Sequence, residues 1–270
     1  HSVRLVQRAR HQRREGQSHA LCGVAAQDLA AAEPGAGVLV GAPEDVLVAC
    51  DLVFLTVQDG VIAPLAASLV WQPRHRAVHC SGALGLDVLA AAARAGAETG
   101  CFHPLQSFPS REPEPERFRG VYCGIEGTGD LAATLATLAS SLGAHALDLT
   151  GANRALYHAA AVFSSNNVIA LMAAAREAWT LAGLPPEMAR PALAPLLAAV
   201  AKNIAANDLR DALTGPVARG DAGTVQRHLA ALDSTPALRE LYRALGAELA
   251  AVMAGGDAAE PAALRERLGL

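Results

Sequence analysis

His158 lies in a stretch that otherwise reads as an apolar helix, YHAAAVFSSNN over residues 157–167, in company with Arg154, Tyr157, Ser165 and Asn166. At ~100° per residue, Arg154, His158, Ala161 and Ser165 share one stripe of such a helix, with Asn166 at its flank. Polar groups on a buried helix need partners, and a ligand is one such partner. Imidazole gives or takes a proton near neutral pH, and the small Ala161 leaves room above the stripe. The alternative is a structural histidine bonded to a carbonyl or to a neighbouring domain.

A second set of reactive side chains follows the ends of short apolar runs: Arg8 and Arg10, then Val57, Gln58 and Asp59, then Ser81 and Gly82, then His103. In an open parallel sheet, ligands bind outside the carboxyl ends of the strands, which is where these residues would fall. Arginines after an early strand suit the 2′-phosphate of an adenosine ribose, hence NADP with NAD the other possibility; the same run also reads as a solvated basic surface. If residues 1–7 form the second strand of a dinucleotide fold, the first strand and its G-x-G-x-x-G turn belong upstream of His1. Gly127-Thr128-Gly129-Asp130-Leu131-Ala132 matches G-x-G-x-x-A, with Asp148 about 20 residues on. Asp130 would nevertheless set a negative charge where pyrophosphate should lie, so an ordinary turn before a helix is expected. In the loop at 213–221, Thr214, Arg219 and Asp221 suit either an anion or a helix start.

Other chemistries are disfavoured. The histidines have no zinc-site spacing, so no metal is expected, and Ser81 lacks the G-x-S-x-G elbow of serine hydrolases. A net charge of −4 argues against nucleic acid and anionic membrane surfaces. Apolar runs broken by Arg, Asp, Gly and Pro fall short of the ~18 residues of a membrane helix. The five cysteines, without C-x-x-C spacing, read as the reduced thiols of a cytoplasmic protein.

The elements that must position these groups are legible in the hydropathy pattern. Apolar runs at 1–7, 37–40, 51–57, 77–80, 99–102, 121–125 and 144–149 read as strands, and 61–70, 86–95 and 131–142 as helices between them. Such alternation predicts a parallel sheet covered on both faces. Residues 109–117 read as a surface loop. From Gly151 onward the pattern is helical, with breaks at 183–186 and 213–221. An α/β domain over 1–150 and a helical domain over 151–270 are therefore expected.

Four motifs, HCSGAL (79–84), HPLQSF (103–108), YHAAAVFSSN (157–166) and ALTGPVARGD (212–221), resemble the Rossmann-like proteins with a DUF2520 helical domain. These are similar to pyrroline-5-carboxylate reductase and, more distantly, to β-hydroxyacid dehydrogenases. The resemblance implies a Rossmann-type sheet, here lacking its first strand and glycine-rich turn, followed by an all-helical domain that forms a homodimer. It also implies a small-molecule site in the cleft between the domains. Gln58, Asp59, Ser81 and Gly82 would then lie along the cofactor, and His158 would stand where dehydrogenase relatives have a lysine. Thr214-Gly215-Pro216 resembles the Ser/Thr-Pro-Gly turn of proline-forming reductases, with Gly and Pro exchanged. The expected activity is NADP-dependent reduction of a small oxo or imino compound, His158 giving the proton and Asn166 orienting the substrate. Arg154, Ser165, Thr214 and Arg219 would contact that substrate. The rival expectation is a degenerate Rossmann protein that binds a nucleotide or a partner without turnover.

Overall fold

The computed structural model describes residues 21–24, 42–109, 114–255 and 260–270. They divide into two compact units, His1–Asn166 and Asn167–Leu270. The division falls after position 150, so the helix carrying His158 belongs with the sheet. The strands expected at 1–7 and 37–40, with Arg8 and Arg10, lie outside the described residues.

In the first unit the elements run β1 (Leu21–Val24), α1 (Pro43–Ala49), β2 (Leu52–Leu55), α2 (Asp59–Ser68), β3 (Arg76–His79), α3 (Ala90–Arg94), β4 (Glu98–Pro104), β5 (Tyr122–Gly127), α4 (Leu131–Ser141), β6 (His145–Asp148) and α5 (Arg154–Phe163). The strands form one sheet in the order β1-β2-β3-β4-β5-β6. β1 is a strand where none was expected. The helix expected at 86–95 is split into a 3₁₀ turn, Leu86–Leu89, and α3.

Both faces of the sheet are covered at β2, as its continuous apolar run requires. Val53 and Leu55 face one core with Leu47, Ile62 and Ala66 of α1 and α2. Leu52 and Phe54 face the other with Phe102, Leu131 and Leu135. This is the two-residue alternation of a strand, with neither side given to water.

One pairing departs from the expected parallel sheet: β4 and β5 run antiparallel, with His103 opposite Gly124, while the other neighbours are parallel. A parallel return needs a crossover element, usually a helix. Among the described residues the β4–β5 connection holds only the 3₁₀ turn Pro115–Phe118, whose buried Phe118 packs on Phe108 with ring centroids 5.6 Å apart. The strand therefore comes back beside β4 in the opposite direction.

The second unit contains α6 (Asn166–Leu181, which begins one residue before the division), α7 (Pro186–Ala206), α8 (Leu209–Ala212), α9 (Ala222–Ala231), α10 (Pro236–Ala254) and α11 (Glu260–Leu268). Its buried centre is Val217, Val225, Leu229 and Leu268. Leu268 is fully buried, and its carbonyl accepts a hydrogen bond from Gln226 Nε2 at 2.9 Å. Truncation of a buried leucine to alanine costs about 2–5 kcal/mol, so Leu268→Ala is expected to lower the urea midpoint of this unit, followed by the fluorescence of Trp179.

The long helix expected after Gly151 is interrupted. Ser164 Oγ donates to Ala161 O at 3.1 Å and Ser165 Oγ to the same carbonyl at 2.6 Å, back-bonding that bends helices. The chain from Arg154 to Leu181 has the length and mean hydropathy of a membrane-crossing helix, against the expectation that no run reaches that limit. The alanines raise the average across the polar interruptions; the assignment rests on length and composition alone.

Candidate active site

α5 starts at Asn153, whose side-chain oxygen accepts from Leu156 N at 3.1 Å, satisfying one of the free amides of the first turn. Its first residue, Arg154, is buried at 9% exposure. Arg154 Nε donates to Leu84 O at 3.1 Å, and Nη2 to Ser81 O at 3.2 Å and Cys101 Sγ at 2.7 Å. Nη1 lies 3.9 Å from the Glu126 carboxylate. The guanidinium thus clamps α5 to the segment after β3 and to β4. Arg154 was expected at the substrate; its donors point instead into the protein. Burial pushes the Cys101 thiol up to about 11, against the lowering effect of Arg154, so the sulfur is a neutral acceptor.

One turn further, Tyr157 and His158 meet His103 of β4. His103 Nδ1 and Tyr157 Oη are 2.8 Å apart, and the rings stand edge to face with centroids 5.5 Å apart. The His103 and His158 centroids are 6.2 Å apart. Gly82 makes this convergence possible: a Cβ there would lie 2.7 Å from Cε1 and Nε2 of His103 and 2.9 Å from Cδ2 of His158. Gly124 does the same for Tyr157, since a Cβ would lie 2.5 Å from the phenol oxygen. The Arg154 guanidinium carbon sits 5.8 Å from the centre of the Tyr157 ring. Gly82→Ala is expected to push both imidazoles from their positions, seen as changed chemical shifts of His103 and His158 in a folded protein.

At the carboxyl end of β3, Ser81 Oγ donates to Asp59 Oδ2 at 2.8 Å and accepts from Ala83 N and Leu84 N, both at 3.2 Å. Asp59 opens α2, where a carboxylate is favoured by the helix dipole, and Gln58 before it is exposed. Val57, Gln58, Asp59, Ser81, Gly82 and His103 thus follow or end β2, β3 and β4, three adjacent parallel strands.

Two histidines of this region are held neutral. Burial first, then the charge of Arg154, lowers His79 to about 4. Burial, then His158, then Arg154 lower His103 to about 4. The unfolded chain takes up these protons near pH 6.5 and the folded chain near pH 4, so between those values the unfolded state binds more protons. Their contribution to stability is therefore complete above pH 6.5 and falls away towards pH 4. Urea midpoints recorded from pH 7 to pH 4.5 are expected to decline across this window.

The remaining sequence-derived candidates stand on other elements. Ser165 Oγ is engaged by Ala161 O and by Asn166 Oδ1 at 3.1 Å, and both residues are exposed at the α5–α6 break. Thr214 and Arg219 belong to the helical unit, both exposed in a loop where Gly215 adopts φ +96°. Asp221 of that loop caps α9, accepting from Thr224 N at 3.0 Å and Thr224 Oγ1 at 2.7 Å, which assigns it to the helix start. At the Gly127–Gly129 turn, Asp130 N donates to Glu98 Oε1 at 3.2 Å. A Cβ at Gly129, where φ is +55°, would strike that carboxylate. The turn holds an acid where pyrophosphate would have to sit. Among the described residues no group of three metal-ligating side chains occurs.

Tyr157, Gly124 and Cys101 were not among the site residues expected from sequence. Tyr157 adjoins His158, but its partner His103 is 54 positions away and no local pattern links them.

Residues 121–249 match the family described as a domain of unknown function, DUF2520. Among solved structures, a Bacteroides fragilis protein provisionally described as an NADP oxidoreductase is 25% identical, with a TM-score of 0.59 over 74% of this chain and 75% of that one. A Thermotoga maritima protein is 26% identical, with a TM-score of 0.60 over 76% and 78%. A reductive aminase from Aspergillus terreus, solved with NADPH and ethyl levulinate, shares the fold at 12% identity and a TM-score of 0.55 over 83% and 81%. No curated protein sequence matches the chain significantly. The chain thus has a Rossmann-like α/β fold followed by helices, is similar over residues 121–249 to the DUF2520 family, and shares its fold with solved structures described as NADP-linked reductases.

Proposed function

We propose that this protein is an NADP-dependent oxidoreductase that reduces a small carbonyl or imine compound of the oxo- or imino-acid type. The observation that carries the reading is the convergence of His103 and His158 on Gly82 at the carboxyl ends of β3 and β4, with Tyr157 hydrogen-bonded to His103. Open α/β sheets bind their ligands at that edge. The fold shared with proteins described as NADP oxidoreductases supports the same conclusion.

The described residues fit the nicotinamide end of such a cofactor. The strand ends offer Val57, Ser81, Gly82 and a neutral imidazole, and the one carboxylate named among them, Asp59, is engaged by Ser81. A flat, uncharged ring with an amide suits that set. Arg8 and Arg10 are proposed to select the 2′-phosphate. When bound, NADPH supplies the hydride.

The chain's own residues position the acceptor and handle the proton. His158 gives a proton to the developing alkoxide or amine, general acid catalysis of the kind worth about 10²–10⁴-fold. Asn166 orients the substrate, and Thr214 and Arg219 serve its carboxylate. Ser81, fixed by Asp59 and two backbone amides, stiffens the turn that carries Gly82. Calorimetry with NADPH and NADH tests the reading: NADPH is expected to bind more tightly, and failure to bind either nucleotide refutes it. Tighter binding of NADH removes the role given to Arg8 and Arg10.

The helical domain is proposed to form a homodimer. Leu196, Val200 and Ile204 make an exposed stripe at four-residue spacing on α7, with Met188 also exposed. Val200→Glu combined with Ile204→Glu is expected to halve the mass measured by light scattering; an unchanged mass places any self-association elsewhere.

A further inference from the structure

The geometry points to His103 as a neutral hydrogen-bond donor: Tyr157 fixes it as the Nε2–H tautomer, and that N–H is offered to a ligand carbonyl oxygen beside Gly82. The inference rests on the reductase reading for the nature of the ligand, and on geometry alone for the tautomer.

The phenol of Tyr157 has one proton to donate. Burial, foremost, pushes its ionisation up to about 12, so the hydroxyl keeps that proton at neutral pH. Among the described residues, Nδ1 of His103 at 2.8 Å is the hydrogen-bond partner of Oη. The oxygen stands in the space that Gly124 leaves without a side chain: a Cβ there would lie 2.5 Å from Oη and from Leu149 Cδ1. Were Nδ1 to carry the hydrogen and donate, the phenol proton would have no protein acceptor among the described residues. Tyr157 is half-buried, and a donor drawn out of water without a partner is disfavoured. Tyr157 therefore donates and Nδ1 accepts. A neutral imidazole has a single N–H, so it must be on Nε2.

His103 is neutral at pH 7 because burial and the neighbouring His158 and Arg154 all oppose its protonation. Its Cε1–Nε2 edge rests at Gly82, the residue with no side chain, and among the described residues Nε2 meets no protein acceptor. The donor thus lies at the strand ends where the ligand is expected, next to His158. A neutral imidazole polarises a carbonyl without surrendering its proton. The two histidines then divide the work: His103 holds and polarises an oxygen, and His158 transfers the proton. Tyr157 acts through His103 and is a positioning residue. It is held in turn by the Arg154 guanidinium 5.8 Å from its ring centre.

Long-range ¹H–¹⁵N spectra of histidine-labelled protein test the tautomer without any ligand. The full chain is expected to show His103 as the Nε2–H form from pH 8 to about 5, and Tyr157→Phe to show a mixture of tautomers. An Nδ1–H form in the wild type, an imidazolium at pH 7, or a spectrum unchanged in Tyr157→Phe overturns the inference. The two sources of the carbonyl, the nicotinamide carboxamide and the substrate, are separated with His103→Phe, which keeps an aromatic ring and loses the donor. A rise in the NADPH dissociation constant of tenfold or more assigns the donor to the cofactor. Unchanged NADPH affinity with at least tenfold slower reduction in a panel of 2-oxo acids and cyclic imines assigns it to the substrate. No change in either overturns the donor role. A wild type that binds no nucleotide and reduces nothing in the panel refutes the reductase reading and the ligand with it, while the tautomer stands or falls on the spectra.

Discussion

His158→Gln is expected to lower turnover of a carbonyl or imine substrate by about 10²–10⁴-fold, the usual worth of a positioned general acid, with little change in the dissociation constant of NADPH. Glutamine keeps the length and hydrogen-bonding capacity of the side chain but has no proton to transfer near neutral pH. His158 is half-buried, its Cδ2 close to the Gly82 backbone and its ring edge to face with His103, so the substitution removes the proton without emptying a core position. The informative measurement is the pair: kcat from steady-state reduction and nucleotide affinity from calorimetry. Loss of kcat alone is a loss in the chemical step. Unchanged turnover removes His158 from the mechanism, and a parallel loss of NADPH affinity makes it a cofactor contact instead.

The second large effect is expected at Arg154, and it is one of stability. Arg154→Met keeps much of the buried stem while deleting the donors to Ser81 O, Leu84 O and Cys101 Sγ. Removing one side of a buried charged network typically costs about 3–5 kcal/mol. Here the abandoned groups include two backbone carbonyls and a neutral thiol; only Glu126, at 3.9 Å, is an acid left uncompensated. The lower end, about 3 kcal/mol, is therefore expected. Chemical denaturation monitored by far-UV circular dichroism should show an earlier midpoint for the sheet unit. At permissive temperature, the remaining folded protein should show disturbed resonances of Tyr157 and His103, because the clamp orients the helix on which Tyr157 stands. An unchanged midpoint means that packing of α5, not its guanidinium, secures it to the sheet.

How much was legible in the sequence differs between fold and site for a physical reason. β2, β3, β5 and α4 follow from local hydropathy, since a strand covered on both faces needs a continuous apolar run and a helix needs its own period. The direction of β5 does not follow, because it depends on whether the connection from β4 carries a crossover helix. The break between α5 and α6 was hidden for a similar reason: two serines in an apolar stretch read as helix until their hydroxyls are seen bonded to Ala161 O.

At the candidate site, the sequence singled out His158, Ser81, Gly82, Asp59 and His103 through their positions after strands and on the opening helix. It also singled out Arg154, and residue type could not say that the guanidinium turns inward. Spacing along a helix shows which side chains share a face; it does not show which are consumed by the protein itself. Tyr157 shows the opposite limit. It stood out in the sequence only as one polar group of the helix, and its role appears when β4 brings His103 within hydrogen-bonding distance.

By itself, then, the sequence determined the α/β pattern, the change to helices after Gly151, and the polar residues able to carry proton chemistry, because these depend on local periodicity and residue type. Tertiary structure alone decided that β4 and β5 oppose each other, that Arg154 is a clamp, and that His103 and His158 meet over Gly82 with Tyr157 bonded to His103. Those outcomes depend on contacts between residues tens of positions apart, and on the space a missing Cβ leaves, which hydropathy does not encode.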